Sequence, residues 1–283
     1  MKLGFNLLLW TPHVTAAHES ILRDLKRTGY DGIEIPMFEG DPEHYARLGA
    51  LLDNIGLERT VVSVLGAGCN PLSPDKAQQK AALDRAKWVI DCSVALGASI
   101  IGGPMHSEHG YLSGNAATGA ERKRGISFHR KAGDYAAKKN VRFAVEALNR
   151  FEVYFLNTMQ QLNDYLDEVD HPAIQGMYDT FHANIEEKDP VGAIKTIKPH
   201  MIHVHISEND RGTPGKGHIP WDETYKALRK AKYDGWLTIE AFGKSLPALA
   251  AATRVWRQFY PNIEEVYKFG YKSMKQGWAK AGR

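Results

Sequence analysis

Short apolar runs alternate with segments of helix length along the whole chain. The runs lie at residues 3–10, 32–37, 59–65, 99–105, 141–148, 174–180, 201–207 and 235–241. A repeated strand–helix order predicts a parallel sheet, because parallel neighbours need a crossover connection. Eight such units predict a single closed (β/α)8 TIM barrel, with one domain over residues 1–283.

The segments between the runs carry the start and stop signals of helices. Residues 73–99 open on Ser73 and Pro74, which predict a cap and a first helical residue, and this helix is expected to end near Gly97. Residues 261–278 predict an extra C-terminal helix after the eighth unit. The alternative fold is an open doubly wound sheet. Its first strand is normally followed by a glycine-rich phosphate turn, and "LLLWTPHV" has none.

Charge and composition argue against several functions. The 36 Lys and Arg against 33 Asp and Glu give a formal charge of +3, and the basic residues are scattered, so no nucleic-acid partner is expected. No apolar run approaches the ~18 residues of a membrane span, and the first ten residues are interpreted as a strand rather than a signal peptide. Cys69 and Cys92 form no CxxC pair, which fits a reducing, cytoplasmic compartment.

Each of the last four strands terminates in one residue that can bind a metal. These residues, in "FAVEAL", "GMYDTFH", "HVHISEN" and "LTIEAF", are Glu146, Asp179, His205 and Glu240. They are spaced by about one strand–helix unit, so they are predicted to converge at the C-terminal mouth of the barrel. Three carboxylates at low dielectric need a cation between them. The sequence therefore predicts one divalent metal ion.

The donor set indicates which metal is bound. Carboxylate oxygens with one imidazole favour Mn²⁺, with Co²⁺ or Mg²⁺ as alternatives, whereas structural zinc sites usually combine Cys and His. Each residue also has an ordinary interpretation: Asp179 as a helix cap, His205 as a satisfied core histidine, and Glu240 as the partner of a buried Arg. The conjunction of four such strand ends favours the metal. His203, on the same face as His205, is interpreted as the core histidine.

Longer motifs surround these residues. They are "SPDK" at 73–76, "ALNRFE" at 147–152, "DTFHANIEE" at 179–187, "HVHISENDR" at 203–211 and "PWDE" at 220–223, followed by "YDG" and "IEAF". Together they resemble the ketose 3-epimerases of the D-tagatose and D-psicose (D-allulose) type, within the xylose isomerase-like TIM barrels. The resemblance covers essentially the whole chain.

The resemblance implies a role for each matching residue. The metal ligands would be Glu146, Asp179, His205 and Glu240, of which Glu146 and Glu240 would also be the catalytic acid–base pair. The residues that bind the ketone end of the substrate would be Glu152, His182 and Arg211. Glu34 falls at a family position beside the site. Because the family tends to form dimers or tetramers, a homodimer or homotetramer is expected.

The expected reaction follows from the acid–base pair. Inverting the carbon next to a ketone requires removing a weakly acidic C–H proton and returning one to the opposite face. Two carboxylates can serve the two faces, and a metal stabilises the enediolate as a Lewis acid. The expected function is metal-dependent epimerisation of a free ketose at C3 through a cis-enediolate. The loop sequence "HSEHG" offers no Arg or Lys clamp for a phosphate, which favours an unphosphorylated sugar.

The loop after the fourth strand departs from the family pattern. Family members supply apolar or aromatic residues there, whereas this chain has His106, Glu108 and His109. Two interpretations stay open: the loop recognises a more polar or larger substrate, or it folds over itself.

Other functions use the same barrel. Aldose–ketose isomerisation, isomerisation of hydroxypyruvate or inososes, and processing of 3-keto sugars or glycosides are alternatives on the same metal site. An endonuclease IV-like nuclease is a remote alternative, because the chain lacks a basic stripe. A non-catalytic sugar-binding subunit is disfavoured, since binding alone does not require a paired acid and base.

Overall fold

Eight parallel strands close into a barrel, as the strand–helix alternation predicts. The computed structural model describes residues 1–282. The strands are β1 (Lys2–Asn6), β2 (Gly32–Pro36), β3 (Glu58–Val62), β4 (Ile100–Gly103), β5 (Arg142–Val145), β6 (Ile174–Asp179), β7 (Met201–Ile206) and β8 (Trp236–Ile239). Each strand pairs with the next, and β8 pairs with β1 to complete the circle. The predicted (β/α)8 fold is confirmed.

Ten α-helices accompany the barrel within residues 1–282. They are α1 (Glu19–Thr28), α2 (Pro42–Ile55), α3 (Lys76–Leu96), α4 (Gly119–Ala137), α5 (Met159–Val169), α6 (Thr180–Glu186), α7 (Pro190–Ile197), α8 (Trp221–Lys230), α9 (Pro247–Thr253) and α10 (Gly270–Ala281). None of these helices combines the length and the apolar character needed to cross a bilayer.

Several strands are shorter than the apolar runs that predicted them. β1 stops at Asn6, whose side chain accepts a hydrogen bond from the Leu8 backbone N–H at 2.9 Å as the chain turns into a 3₁₀ helix over Leu7–Leu9. β5 stops at Val145. The apolar pattern records burial, and these runs stay buried after their ladder pairing has ended. The functional side chains therefore lie at or just beyond the strand ends.

The start of α3 differs from the prediction by two residues. Asp75, and not Ser73, caps the helix by accepting a hydrogen bond from the Ala77 N–H at 2.8 Å. Ser73 instead accepts from the Asp75 N–H at 3.1 Å and makes a local turn, with Pro74 inside it. Serine and aspartate both favour such turns and caps, so the signal was ambiguous. The predicted end is confirmed, because Gly97 follows the helix at φ 80°.

Alternate residues of each strand fill the barrel in layers. The lowest layer is an apolar cluster of Ile100, Ala144, Met177 and Trp236. Glu34 and His203 are also fully buried inside the barrel, where His203 Nε2 lies 2.9 Å from the Glu34 carboxylate. The next inward position on β7 is His205. Side chains of one strand face the same way every second residue, so the lumen changes from apolar to polar toward the mouth.

The C-terminal segment completes the outer ring of helices. The predicted helix begins as a π-helical turn over Glu265–Phe269 and continues as α10. On one side, Arg229 of α8 donates to the Trp278 carbonyl at 3.1 Å. On the other, the Tyr30 hydroxyl donates to the Tyr267 carbonyl at 2.8 Å. α10 thus lies between α8 and the start of the barrel, while the short α9 lies at the mouth.

A glycine at the end of β4 tests how tightly the mouth is built. Gly103 has φ 110°, and a Cβ there would lie 2.2 Å from the Ser63 carbonyl oxygen. Gly103→Ala should therefore destabilise the protein by more than about 1 kcal/mol. Urea unfolding followed by circular dichroism measures the change. The control is Gly119→Ala at the start of α4, where a Cβ would meet open space, and equal midpoints for the two variants would contradict the argument.

Candidate metal centre

Four side chains meet at the C-terminal mouth of the barrel. One ligand atom from each of Glu146, Asp179, His205 and Glu240 lies within 4.8 Å of the others. Nδ1 of His205 lies 3.4 Å from Asp179 Oδ2, 3.5 Å from Glu240 Oε1 and 3.6 Å from Glu146 Oε1. All four residues are buried. The structure thus brings together the four ligands that the strand ends predicted.

The ends of the strands aim these side chains. Glu146 directly follows β5, where its backbone N–H donates to the Gly103 carbonyl at 3.1 Å. Asp179 is the last residue of β6 and also caps α6, because its Oδ1 accepts from the Phe181 N–H at 2.6 Å. Its Oδ2 remains directed at His205. The helix-cap interpretation of Asp179 and the ligand interpretation are therefore compatible.

Glu34 fixes the orientation of His205 from below. Its Oε1 lies 2.7 Å from His205 Nε2. A carboxylate only accepts hydrogen bonds, so the Nε2 atom carries a proton and Nδ1 faces the cluster. Asn6 and Thr60 donate to the Glu34 carboxylate at 3.1 and 3.0 Å, and His203 Nε2 lies 2.9 Å from it. This buried layer prepares a metal-binding imidazole nitrogen.

Burial makes the cluster too negative to stay fully ionised on its own. Burial, opposed by His205 and reinforced by Glu240 and Asp179, raises the pKa of Glu146 to about 8. Burial likewise raises the pKa of Glu240. For Asp179, burial is outweighed by His182 and His205, and the pKa is lowered. One buried carboxyl group thus holds a proton at neutral pH when no cation is present.

The unpaired atoms of the cluster fit a divalent cation. Glu146 Oε1 and His205 Nδ1 are buried without a hydrogen-bond partner. Burial lowers the pKa of His205, but the charges of Glu240 and Glu34 outweigh burial and raise it well above its usual value. A bound cation would replace the proton that the raised pKa keeps on the His205 ring, and it would satisfy both unpaired atoms. Three carboxylates with one imidazole are ligands that Mn²⁺, Co²⁺ or Mg²⁺ accepts.

Arg211 and His182 form the wall beside the cluster. The Arg211 guanidinium lies 3.8 Å from the Phe181 ring centre and 4.8 Å from that of Phe242. It donates to Glu240, so the interpretation of Glu240 as the partner of a buried Arg is also realised. His182 Nδ1 accepts from the backbone N–H of Asn149 at 3.0 Å. Its Nε2 lies 2.9 Å from Arg211 Nη2 and 3.8 Å from Glu146 Oε1, so this nitrogen faces the cluster.

Glu152 is the ionised acceptor of the same wall. Asn149 Nδ2 donates to its Oε1 at 2.7 Å, and His109 Nε2 lies 3.2 Å from its Oε2. Burial raises the pKa of Glu152, but His109, His182 and Arg211 outweigh burial and lower it to about 2. The structure therefore places all three predicted substrate-binding residues together, next to the metal ligands.

The loop after β4 mostly folds back on the protein. His106 is fully buried beside Phe155, with ring centres 5.8 Å apart, and burial lowers its pKa to about 3. Glu108 turns away and accepts a hydrogen bond from the Gly68 N–H at 3.3 Å. Only His109, of the three polar residues noted in the sequence, lines the pocket at the mouth. Of the two interpretations that the sequence left open, the contacts of His106 and Glu108 favour a loop that folds over itself, while His109 faces the pocket.

Sequence reasoning missed several residues that support the site. Asn6 donates to both Glu34 and Glu240, each at 3.1 Å. It ends β1 at the mouth, so the rule that identified the other strand ends could have found it. Asn149 positions His182 and Glu152. Ser207 accepts from Arg211 at 3.0 Å. Glu152 and Arg211 lie only three and four residues from Asn149 and Ser207, whereas His182 lies 33 residues from Asn149.

Comparison with known proteins agrees with this geometry. The sequence pattern of the xylose isomerase-like TIM barrel family matches residues 22–261. A probable ketose 3-epimerase of Synechocystis sp. is 34% identical over 280 residues, covering 98% of this chain and 96% of that protein. The chain belongs to the xylose isomerase-like TIM barrel family, in its ketose 3-epimerase group. The family resemblance seen in the sequence is therefore confirmed.

Two further relatives of this ketose 3-epimerase group extend the comparison. A ketose 3-epimerase of Arthrobacter globiformis is 30% identical over 273 residues, covering 94% of this chain and 93% of that protein. The crystal structure of the D-allulose 3-epimerase from Methylomonas sp. in complex with D-allulose superposes with a TM-score of 0.91 at 27% identity. It covers 98% of this chain and 96% of its own. The similarity thus spans whole chains and not the barrel strands alone.

Removing one ligand should separate metal binding from folding. Because the raised pKa of about 8 keeps Glu146 mostly protonated at pH 7, Glu146→Gln should leave the stability of the metal-free protein nearly unchanged. The stabilisation that Mn²⁺ gives the unaltered protein, about 2.7 kcal/mol at a hundredfold excess over Kd, should be lost. Thermal unfolding at pH 7 with and without Mn²⁺ measures both effects. Glu108→Gln is the control, and a full Mn²⁺ shift in Glu146→Gln would refute the assignment.

Proposed function

We propose that the chain is a metal-dependent ketose 3-epimerase that acts on a free, unphosphorylated ketose. The observation that carries the proposal is a pocket lined by both Glu146 and Glu240, with Glu152, His182 and Arg211 on the same wall. Glu146, which follows β5, and Glu240, which follows β8, would approach the reacting carbon from two directions. Paired acids and bases of this kind are what inversion next to a carbonyl group requires.

The two glutamates move the proton. One carboxylate takes the C3 proton of the substrate, and the carboxylic acid across the pocket returns a proton to the opposite face. Glu146 and Glu240 are both buried, so little water competes with the C–H proton for either carboxylate. The reverse reaction exchanges the two roles, so either epimer is a substrate.

Glu146, Asp179, His205 and Glu240 would hold the metal ion. When bound, a divalent cation supplies Lewis-acid stabilisation of the negative charge that develops on the substrate oxygens. Mn²⁺ is favoured for this donor set, with Co²⁺ or Mg²⁺ as alternatives. The unpaired buried atoms of Glu146 and His205 support this assignment.

The side of the pocket that Glu152, His182 and Arg211 form binds the ketone end of the substrate. Arg211 presents guanidinium protons to an oxygen that becomes more negative during the reaction, and His182 lies beside it, with Nε2 2.9 Å from Arg211 Nη2. Burial, reinforced by Arg211, lowers the pKa of His182 to about 4, which keeps its ring neutral at pH 7. Glu152 is ionised and accepts a hydrogen bond from a substrate hydroxyl group. The wall thus distinguishes a carbonyl oxygen from a hydroxyl group.

Named relatives support epimerisation over other reactions of this barrel. Isomerisation of aldoses, hydroxypyruvate or inososes and processing of 3-keto sugars or glycosides would give different products from the same site. The nuclease alternative needs several metal ions. Within residues 1–282, the second group of potential ligands, Glu34 with His203, shares His205 with the first. That sharing favours a single metal ion.

Hydrogen exchange at C3 tests the reaction directly. In D₂O with Mn²⁺, a ketose substrate should gain deuterium at C3, observed by NMR, and a chelator should stop the exchange. Glu240→Gln should slow the interconversion of the two C3 epimers by roughly 10²–10⁴-fold, because one of the two positioned groups is lost. Metal content is measured in the same sample, and Glu108→Gln is the control. Interconversion of the epimers at an unchanged rate in Glu240→Gln would overturn its catalytic role.

The chain acts as one domain and, in this proposal, as a homodimer or homotetramer in the cytoplasm. The barrel spans β1 to β8, and α10 packs back on α8, which supports a single domain. Trp256 and Phe151 are 69% and 63% exposed, which supports burial against another copy. Two free cysteines support a reducing compartment.

Light scattering after size-exclusion chromatography tests the assembly. The expected mass is two or four times the 31.6 kDa of one chain. Burial of large exposed rings is the physical reason, so Trp256→Ser should shift the distribution toward smaller species if this residue lies in the interface. A single species of 31.6 kDa for the unaltered protein would contradict the oligomer.

A further inference from the structure

The pocket at the mouth has two chemically different sides. The charged side comes from the loops after β4 to β8 and carries His109, Glu146, Glu152 and their neighbours. The other side comes from β1 to β3, β8 and α9. We call it the apolar wall, defined by Leu8, Phe38, Val62, Phe242 and Leu249.

The apolar wall is packed and continuous. Leu8, Val62 and Phe242 form a buried cluster with Ala250 and Val255 beneath them, and this cluster is separate from the main core. Phe38 and Leu249 pack against it. A wall supported in this way presents a fixed apolar surface to whatever fills the pocket, which has a volume of about 270 Å³.

The wall offers almost no side-chain partner for a hydroxyl group. Among the described residues that line this side, Thr253 carries the one hydroxyl group, and it already donates to the Leu249 carbonyl at 2.8 Å within α9. His109 lies on the charged side and pairs with Glu152. A substrate hydroxyl group placed against the wall therefore loses hydrogen bonds to water without regaining them from these side chains.

The proposed function fixes which end of the sugar meets the wall. In that function C2 and C3 lie beside the metal ligands, and the ketone end lies on the side of Glu152, His182 and Arg211. Carbons C4 to C6 of the ketose then extend toward the apolar wall. We propose that the preferred substrate is a 6-deoxyketohexose, in which a terminal methyl group replaces the hydroxymethyl group. This inference rests on the proposed function and names the substrate class for that same site.

The size of the preference for a 6-deoxyketohexose follows from the missing hydrogen-bond partner for a 6-hydroxyl group. A site without a partner for a buried hydroxyl group penalises it, while a methyl group gains from contact with the wall. We expect kcat/KM to be roughly 10- to 100-fold higher for a 6-deoxyketohexose than for the ketohexose of the same configuration. Both members of the pair share carbons C1 to C5, but the 6-hydroxyl group closes the pyranose ring of the parent sugar, so the rates are compared per concentration of open-chain ketone, which ¹³C NMR measures.

The test compares matched pairs of sugars on the metal-loaded protein. With Mn²⁺ in D₂O, initial rates of deuterium uptake at C3 are measured by NMR for 6-deoxy-L-fructose against L-fructose and for 6-deoxy-D-fructose against D-fructose. A ratio of ten or more in at least one pair supports the proposal. Ratios below ten in both pairs overturn it while leaving the epimerase function in place. Absence of exchange with every sugar overturns the proposed function and this inference with it.

Two variants of the wall connect the preference to the structure. Val62→Thr keeps the side-chain shape and replaces one methyl group with a hydroxyl group, so it should reduce the deoxy-to-parent ratio at least threefold. Val94→Thr makes the same change at a 45% exposed position of α3 and should leave the ratio unaltered. Leu249→Gln is a second wall variant, which serves if Val62→Thr fails to fold. If neither wall variant changes the deoxy-to-parent ratio, the apolar wall does not determine the preference.

Discussion

The burial of three carboxylates around one imidazole is the interaction on which the rest of the site depends. Charges taken out of water are costly unless they are paired and hydrogen-bonded, and here the compensation comes in layers. Glu34 holds His205 from below, and Asn6 and Thr60 in turn hold Glu34. The remaining imbalance, visible in the raised pKa of Glu146, is what a divalent cation would relieve.

The closed barrel makes this concentration of charge feasible. Parallel strands end at the same rim, so side chains at equivalent positions of distant segments converge without any loop having to reach. The apolar layer around Trp236 and Met177 seals the lumen below. The polar layer then lies in a dry, rigid environment, where each hydrogen bond orients a ligand more strongly than it would at the surface.

The mouth links the charged cluster to the apolar wall through Arg211. Its guanidinium lies between the rings of Phe181 and Phe242 while it donates to Glu240. Phe242 therefore belongs both to the apolar wall and to the contacts that hold Arg211. The charged residues and the apolar wall lie on different sides of one pocket and share this aromatic contact.

Much of the fold and the ligand set could be predicted from the sequence, because both depend on local periods. The strand–helix alternation determined the barrel, and the residue closing each of the last four runs determined the cluster of Glu146, Asp179, His205 and Glu240. Loop side chains followed no such period: His106 turned into the core and His109 into the pocket. The sequence by itself thus determined the barrel and the four residues of the candidate metal centre, whereas only the tertiary structure decided the contacts of Glu34 and the apolar wall, because those contacts join segments far apart in the chain.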